Sequence, residues 1–219
     1  NTRVKIPAIL HLTQLGYKYV SLKNAVWDTD TNIFTDIFAE SIKRINPDVE
    51  FEPSSLLTEV KSLLDYEDLG RAFYNRILAT SGVKLIDFND FNNNSFHVCT
   101  ELTYKNGEDE FRPDITVLIN GLPLVFIEVK KPNNSDGILA ERNRINVRVK
   151  NKKFRRFMNA TQFMIFSNNM EYDNDSVVPL QGAFYSPGSS SSAVFNCFRE
   201  EDNLIFDRRN ILDEVVERF

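Results

Sequence analysis

The order of residue patterns along this chain predicts an α/β fold: a mixed β-sheet flanked by helices, with a helical extension on its amino-terminal side. Three observations carry the prediction. Apolar residues recur at helical spacing up to Gly82, short β-like runs take over from Val83, and a long helical stretch then separates one further strand from the others.

Residues 5–15 read as a short helix stopped by Gly16. Asp30 and Thr31 offer N-caps for a second helix, which carries Ile33, Phe34, Ile37, Phe38, Ile42 and Ile45 at helical spacing and ends at Asn46-Pro47. Pro53-Ser54-Ser55 opens a third helix, through Leu64, and a fourth runs to Thr80. The β-like runs cover 83–88, 96–104, 112–119 and 123–130, with hairpin turns expected at Asn106-Gly107 and Asn120-Gly121. A helix from Ile138 to Asn159 crosses to a strand at 162–167. Residues 186–192 read as a flexible loop, and 207–219 as a helix leading towards an absent domain. The expected division is a mostly helical part over 1–82, a core over 83–206 and that last helix.

With 219 residues, 42% of them hydrophobic and 18 of them Phe, the chain has apolar material for a real core. No apolar stretch approaches the roughly 20 residues that span a bilayer, and no basic-then-apolar leader opens the chain. A cytoplasmic protein without a membrane partner is expected. It opens on Asn rather than Met, and a fragment or a trimmed chain is expected. Cys99 and Cys197 show no paired spacing and read as reduced core residues; His11 and His97 form no metal-ligand cluster. A net charge of −5 argues against nucleic-acid binding by the whole surface. One stretch is locally basic: Arg142, Arg144, Arg148, Lys150, Lys152, Lys153, Arg155 and Arg156 follow one another with no acid among them. It is either a solvated helix face or a set of phosphate contacts.

The most informative residues lie in the 112–131 run. Ile115, Val117 and Ile119 in one strand and Val125, Ile127 and Val129 in the next are β-branched aliphatics at alternate positions, so both rows are expected on one buried face. Asp114, Glu128 and Lys130 are then collected on the other face, at one edge of the sheet. Leu118, Leu124 and Phe126, where a solvated face would be polar, make that setting apolar too. A strict two-residue Asn120-Gly121 turn would pair residue 114 with 127 and split the carboxylates between faces. A three-residue loop, or a bulge using Gly121, is therefore expected instead. Two carboxylates and an ammonium on one strand pair favour a divalent metal site.

At these residues the chain resembles a family. Pro113-Asp114 followed by Glu128-Val129-Lys130 resembles the PD-(D/E)xK nuclease signature. The wider phrase, through Asn120-Gly121-Leu122-Pro123-Leu124 to Lys131-Pro132, resembles the amino-terminal nuclease domain of the restriction (R) subunit of type I restriction-modification enzymes. Gln162 to Ser167-Asn168 is similar to the strand that follows the nuclease helix there, and Leu12-Thr13-Gln14-Leu15-Gly16-Tyr17 to the family's start.

The resemblance implies a restriction-endonuclease-like αβββαβ core and Mg²⁺-dependent cleavage of double-stranded DNA, with Mn²⁺ as a substitute. The implied metal ligands are Asp114, Glu128 and the Val129 backbone carbonyl, with Lys130 acting electrostatically on water or phosphate. A further acid often comes from an upstream helix in this superfamily. Glu40 is the candidate because it borders an apolar helix face, while Asp36 lies more outward; Glu101 is a second. Arg142, Arg144, Arg148, Lys150, Lys152 and Lys153 would meet DNA phosphates. The implied partners are double-stranded DNA and the methyltransferase (M) and specificity (S) subunits, with ATP used only by motor domains of the full-length subunit. No Gly-x-x-x-x-Gly-Lys-[Ser/Thr] occurs here, so the chain is expected to be the nuclease portion alone, weak in isolation. The family's Gln-x-x-x-Tyr motif is missing after Lys130; Asn143, Arg144 and Arg148 are the candidates for the equivalent helix face, and the motif is carried over to no single one of them. The alternatives are a non-catalytic docking module with the nuclease fold and a related repair nuclease. The intact Asp-Glu-Lys set weighs against the first, and the Asn-Gly-Leu-Pro-Leu phrase with Ser167-Asn168 against the second.

Overall fold

A computed structural model describes residues 2–131, 137–170, 181–188 and 190–198. Four helices come first: α1 (Thr2–Gln14), then α2 (Thr35–Ile45), α3 (Pro53–Leu64) and α4 (Arg71–Ile77), with a short strand β1 (Lys18–Tyr19) after α1. Next are β2 (Phe96–Thr100), the hairpin β3 (Tyr104–Asn106) and β4 (Asp109–Phe111), β5 (Ile115–Ile119) and β6 (Leu122–Val129). Helices α5 (Gly137–Lys150) and α6 (Arg155–Ala160) lead to β7 (Phe163–Ser167), β8 (Ala183–Pro187) and β9 (Asn196–Phe198). Among the described residues the main sheet runs β1-β2-β5-β6-β7-β8-β9. It is mixed: β2, β5 and β6 form an antiparallel meander, and β6 pairs in parallel with β7 across the α5–α6 crossover. The α/β class with helices on a mixed sheet is the expected one.

Two apolar layers hold the sheet. Phe38, Ile42 and Ile45 of α2, Leu56, Val60 and Leu64 of α3, and Phe73 and Ile77 of α4 pack with Leu122 and Leu124 of β6. Ile138 and Ile145 of α5 pack with Phe126, Met164, Phe166, Phe111 and Phe157. Each fully buried aliphatic or aromatic side chain of this kind contributes about 1.5–3 kcal/mol.

Several boundaries differ from the sequence expectation. The second helix does not start at Asp30 or Thr31. Asp28 captures both through its Oδ1, Asn32 turns left-handed at φ 59°, and the helix opens only after Phe34. The fourth helix stops at Ile77 rather than Thr80. Residues 83–88 form no strand. The Asn46 side chain bonds both the N–H and the C=O of Lys84, while Asp87 accepts from the amides of Asn89 and Asp90 and bends the chain. Run 96–104 breaks at Glu101, which is left-handed at φ 58°. The 138–159 helix breaks at Asn151, whose side chain accepts the Lys153 amide. In the expected 186–192 loop, Ser186 and Pro187 belong to β8. The Cys197 side chain and the helix expected over 207–219 lie outside the described residues; Cys99 is buried and reduced.

Candidate active site

The site depends on how β5 and β6 register. Asn120 (φ 51°) and Gly121 (φ 80°) both take the left-handed conformation, and Ile119 pairs directly with Leu122. This is a two-residue turn of the I′ kind, not the three-residue loop expected from sequence. It is locked from both sides. Asn120 is wholly buried, its amide donating to Leu85 O at 2.9 Å and Asn94 Oδ1 at 2.8 Å and accepting from Ser95 N at 2.7 Å. A Cβ on Gly121 would lie 2.7 Å from Phe34 O and Phe38 N.

The extra residue enters further along. Leu118 pairs with Pro123 but Val117 pairs with Val125, so Leu124 is a bulge in β6. Beyond it Thr116 faces Phe126 and Ile115 faces Ile127, which aligns Asp114 with Glu128. The shared face expected from the aliphatic rows is therefore reached, by the bulge rather than by the turn. The carboxylates lie at the ends of two interior strands, not at a sheet edge, because β2 and β7 flank them. Asp114 Oδ2 accepts the Val129 N–H at 3.1 Å, tying the two strand ends together.

Lysines and acids alternate around this pair. Lys5, from α1, reaches Asp114 Oδ1 at 3.1 Å and Glu101 Oε1 at 2.8 Å. Lys130 stands 3.4 Å from Glu128 Oε2 and 2.9 Å from Oε2 of Glu141, which α5 supplies. Burial, and then the Glu141 charge, push the Glu128 carboxyl up to about 7, against the pull of Lys130. Burial works to lower Lys130 and Lys5, but their paired carboxylates outweigh it and raise both above the ordinary lysine value.

Glu128 Oε1 is buried and has no hydrogen-bond partner among the described residues. Leaving such an oxygen unmatched costs about 1–3 kcal/mol, which a proton or a cation can offset. No three His, Cys, Asp or Glu side chains gather as a metal cage among the described residues. Asp114 and Glu128 with the Val129 carbonyl nonetheless fit a hard cation that uses one or two carboxylates and keeps its waters. Glu40 is not brought to this pair. It is exposed on α2, and its charge acts on His97, which pairs with Leu118 well along β5. Among the described residues Glu101 is linked to Asp114 through Lys5 and through its own N–H, which donates to Asp114 O at 3.3 Å.

The basic stretch divides. Arg148 bonds Glu141 Oε1 at 3.3 Å and stacks 3.8 Å over the Phe111 ring. Lys152 and Arg155 pair with Glu67, Lys153 with Asp109, and Arg156 with Asp65. Arg144 reaches Glu141 but stays largely exposed. Arg142 and Lys150 form no ion pair among the described residues and remain open to a ligand. Sequence reasoning missed Lys5 and Glu141. No local signal marked Glu141, an acid at the head of a basic run whose burial appears only in the packed helix.

Comparison with known proteins gives a consistent picture. Residues 1–173 match the family model described as type I restriction enzyme R protein N terminus. The chain is similar to a Methanocaldococcus jannaschii protein provisionally named as the endonuclease subunit of type I restriction enzyme MjaIXP, at 30% identity over 158 residues. That match covers 60% of this chain and 15% of the relative. It is also similar to the endonuclease subunit of type I restriction enzyme HindI from Haemophilus influenzae, at 28% identity over 149 residues, covering 55% of this chain and 14% of that protein. The chain thus spans a small part of the length of these relatives. None of its described helices is long and apolar enough to cross a membrane.

Proposed function

The chain belongs to the type I restriction enzyme R protein N-terminal family, and we propose that it is the phosphodiester-hydrolysing unit of a longer restriction subunit acting on double-stranded DNA. The observation that carries this reading is the buried, unpartnered Oε1 of Glu128 on the face it shares with Asp114, with Lys130 3.4 Å from the other Glu128 oxygen. Asp114, Glu128 and the Val129 carbonyl would hold Mg²⁺ or Mn²⁺. The bound cation would supply an activated water and offset charge on the phosphate in the transition state.

The remaining work falls to this chain's own groups. Asp114 is fixed by the Val129 N–H, so its second oxygen can turn from Lys5 to a ligand without moving the strand. Lys130, kept charged by two acids, stabilises a phosphate oxygen electrostatically rather than acting as a base. Phe166, the strand partner of Glu128, and Phe126, two residues before it, carry the apolar core up to the site. Arg142, Arg144 and Lys150 on α5 provide phosphate contacts that place the duplex. In the longer protein, ATP-driven motor domains and the methyltransferase and specificity subunits would deliver and select the DNA.

Calorimetric titration of Mn²⁺ into wild type and Asp114→Ala tests the metal centre. Wild type should bind, and the variant should lose at least about tenfold in affinity, equivalent to about 1.4 kcal/mol. Equal binding by both would remove Asp114 from the site.

A further inference from the structure

Each site carboxylate is met by a lysine that is shared with a second acid: Asp114 with Glu101 through Lys5, and Glu128 with Glu141 through Lys130. The two acids differ in depth. The Glu101 side chain is 52% exposed, whereas that of Glu141 is 2% exposed. Glu141 lies on the buried side of α5 between Ile138 and Ile145. A carboxylate at that depth persists only if it is well paired. Its Oε2 takes Lys130 at 2.9 Å and Arg144 at 3.2 Å, and its Oε1 takes Arg148 at 3.3 Å. Arg148 is in turn held 3.8 Å over the Phe111 ring, which ties this partner of the carboxylate to the core.

Lys130 is closer to Glu141 than to Glu128, although Glu128 is only two residues away in the chain. The lysine stem is flexible and its charge is compact, so its position follows the stronger partner. Resting on the nuclease reading above, we propose that Glu141 is a positioning residue that draws the Lys130 ammonium off Glu128, leaving Glu128 free for a divalent cation while holding Lys130 beside the reacting centre. Without the Glu141 charge, Glu128 becomes the only carboxylate partner of Lys130 among the described residues, and the ammonium competes there with the metal.

The test compares wild type, Glu141→Gln and the double variant Glu141→Gln/Lys130→Met in the full-length protein that contains this chain. Two readouts are used: Mn²⁺ affinity by calorimetry, and acylation of individual lysines followed by mass spectrometry. Glu141→Gln should weaken Mn²⁺ binding by about two- to fivefold, the range expected for a competing ion pair still reached by solvent. It should also raise Lys130 acylation several-fold while Lys61 stays at its wild-type rate. The double variant should recover wild-type Mn²⁺ affinity. Unchanged Lys130 acylation in Glu141→Gln overturns the proposal, as does a Mn²⁺ deficit that persists in the double variant, since Glu141 would then serve the fold. A wild type that binds no Mn²⁺, with Lys130 acylation still raised in Glu141→Gln, overturns the nuclease reading and retains Glu141 as the residue that holds Lys130. If Glu141→Gln does not fold, Glu141→Asp, which keeps the charge and shortens its reach, gives the same comparison with a smaller effect.

Discussion

Burial raises the Glu128 carboxyl, so between about pH 4.5 and pH 7 the cation-free folded chain keeps a proton there that the unfolded chain releases. Its folded value is about 7 against an ordinary 4.5, so the stability it contributes is full below about pH 4.5 and is lost as pH rises towards 7. Without divalent cations, the unfolding free energy of wild type should drop by roughly 1–3 kcal/mol between about pH 5 and pH 8 from this group. Glu128→Gln should remove that part of the slope. Denaturant melts at the two pH values check it, and parallel losses in wild type and variant would show that the carboxyl is not destabilised by burial. The position of Glu128 at the end of an apolar strand was legible in sequence, because Glu-x-Lys closes that run. Glu141 was not: before a run of arginines an acid reads as one half of a solvated pair, and only the packing of Ile138 and Ile145 turns it inward.

The β5–β6 hairpin sets the register that brings Asp114 and Glu128 together. The alternation of Ile115, Val117, Val125 and Ile127 announced which face each residue takes. The bulge at Leu124 was hidden, because an apolar residue between Pro123 and Val125 looks the same whether it is paired or extra. Gly121→Ala should destabilise the chain by about 2–4 kcal/mol, because the new Cβ meets backbone atoms of Phe34 and Phe38 and the turn needs a left-handed residue. Thermal unfolding measures this, and a variant as stable as wild type would contradict the locked turn. Helix α5 divides by partner in the same structural sense. Reversing Arg142 and Lys150 to Glu should weaken DNA binding and flatten its salt dependence. Reversing Arg148 should instead lower stability by about 3–5 kcal/mol, since it leaves Glu141 facing a like charge. DNA affinity across a salt series, beside melting curves, separates the two; unchanged affinity in the double reversal would assign this face to the fold or to a protein contact.

The molecule as a whole places a strand-end carboxylate pair between two helical layers, and the class of that architecture followed from sequence alone: helices, a meander, a crossover and a parallel strand. What sequence could not supply was the long-range closure. The parallel pairing of Lys18 and Tyr19 with β2 joins segments 79 residues apart and the reach of Lys5 to Asp114 segments 109 apart, and no local pattern encodes either. Hydrolysis is proposed to take place at Asp114, Glu128 and Lys130, in a chain whose sequence contains no Gly-x-x-x-x-Gly-Lys-[Ser/Thr] loop. The most direct measurement is DNA cleavage, scored beside ATP-driven translocation, by the full-length assembly carrying Glu128→Ala. Lost cleavage with translocation retained is the predicted result; full cutting by the Glu128→Ala assembly would show that the hydrolytic site lies elsewhere.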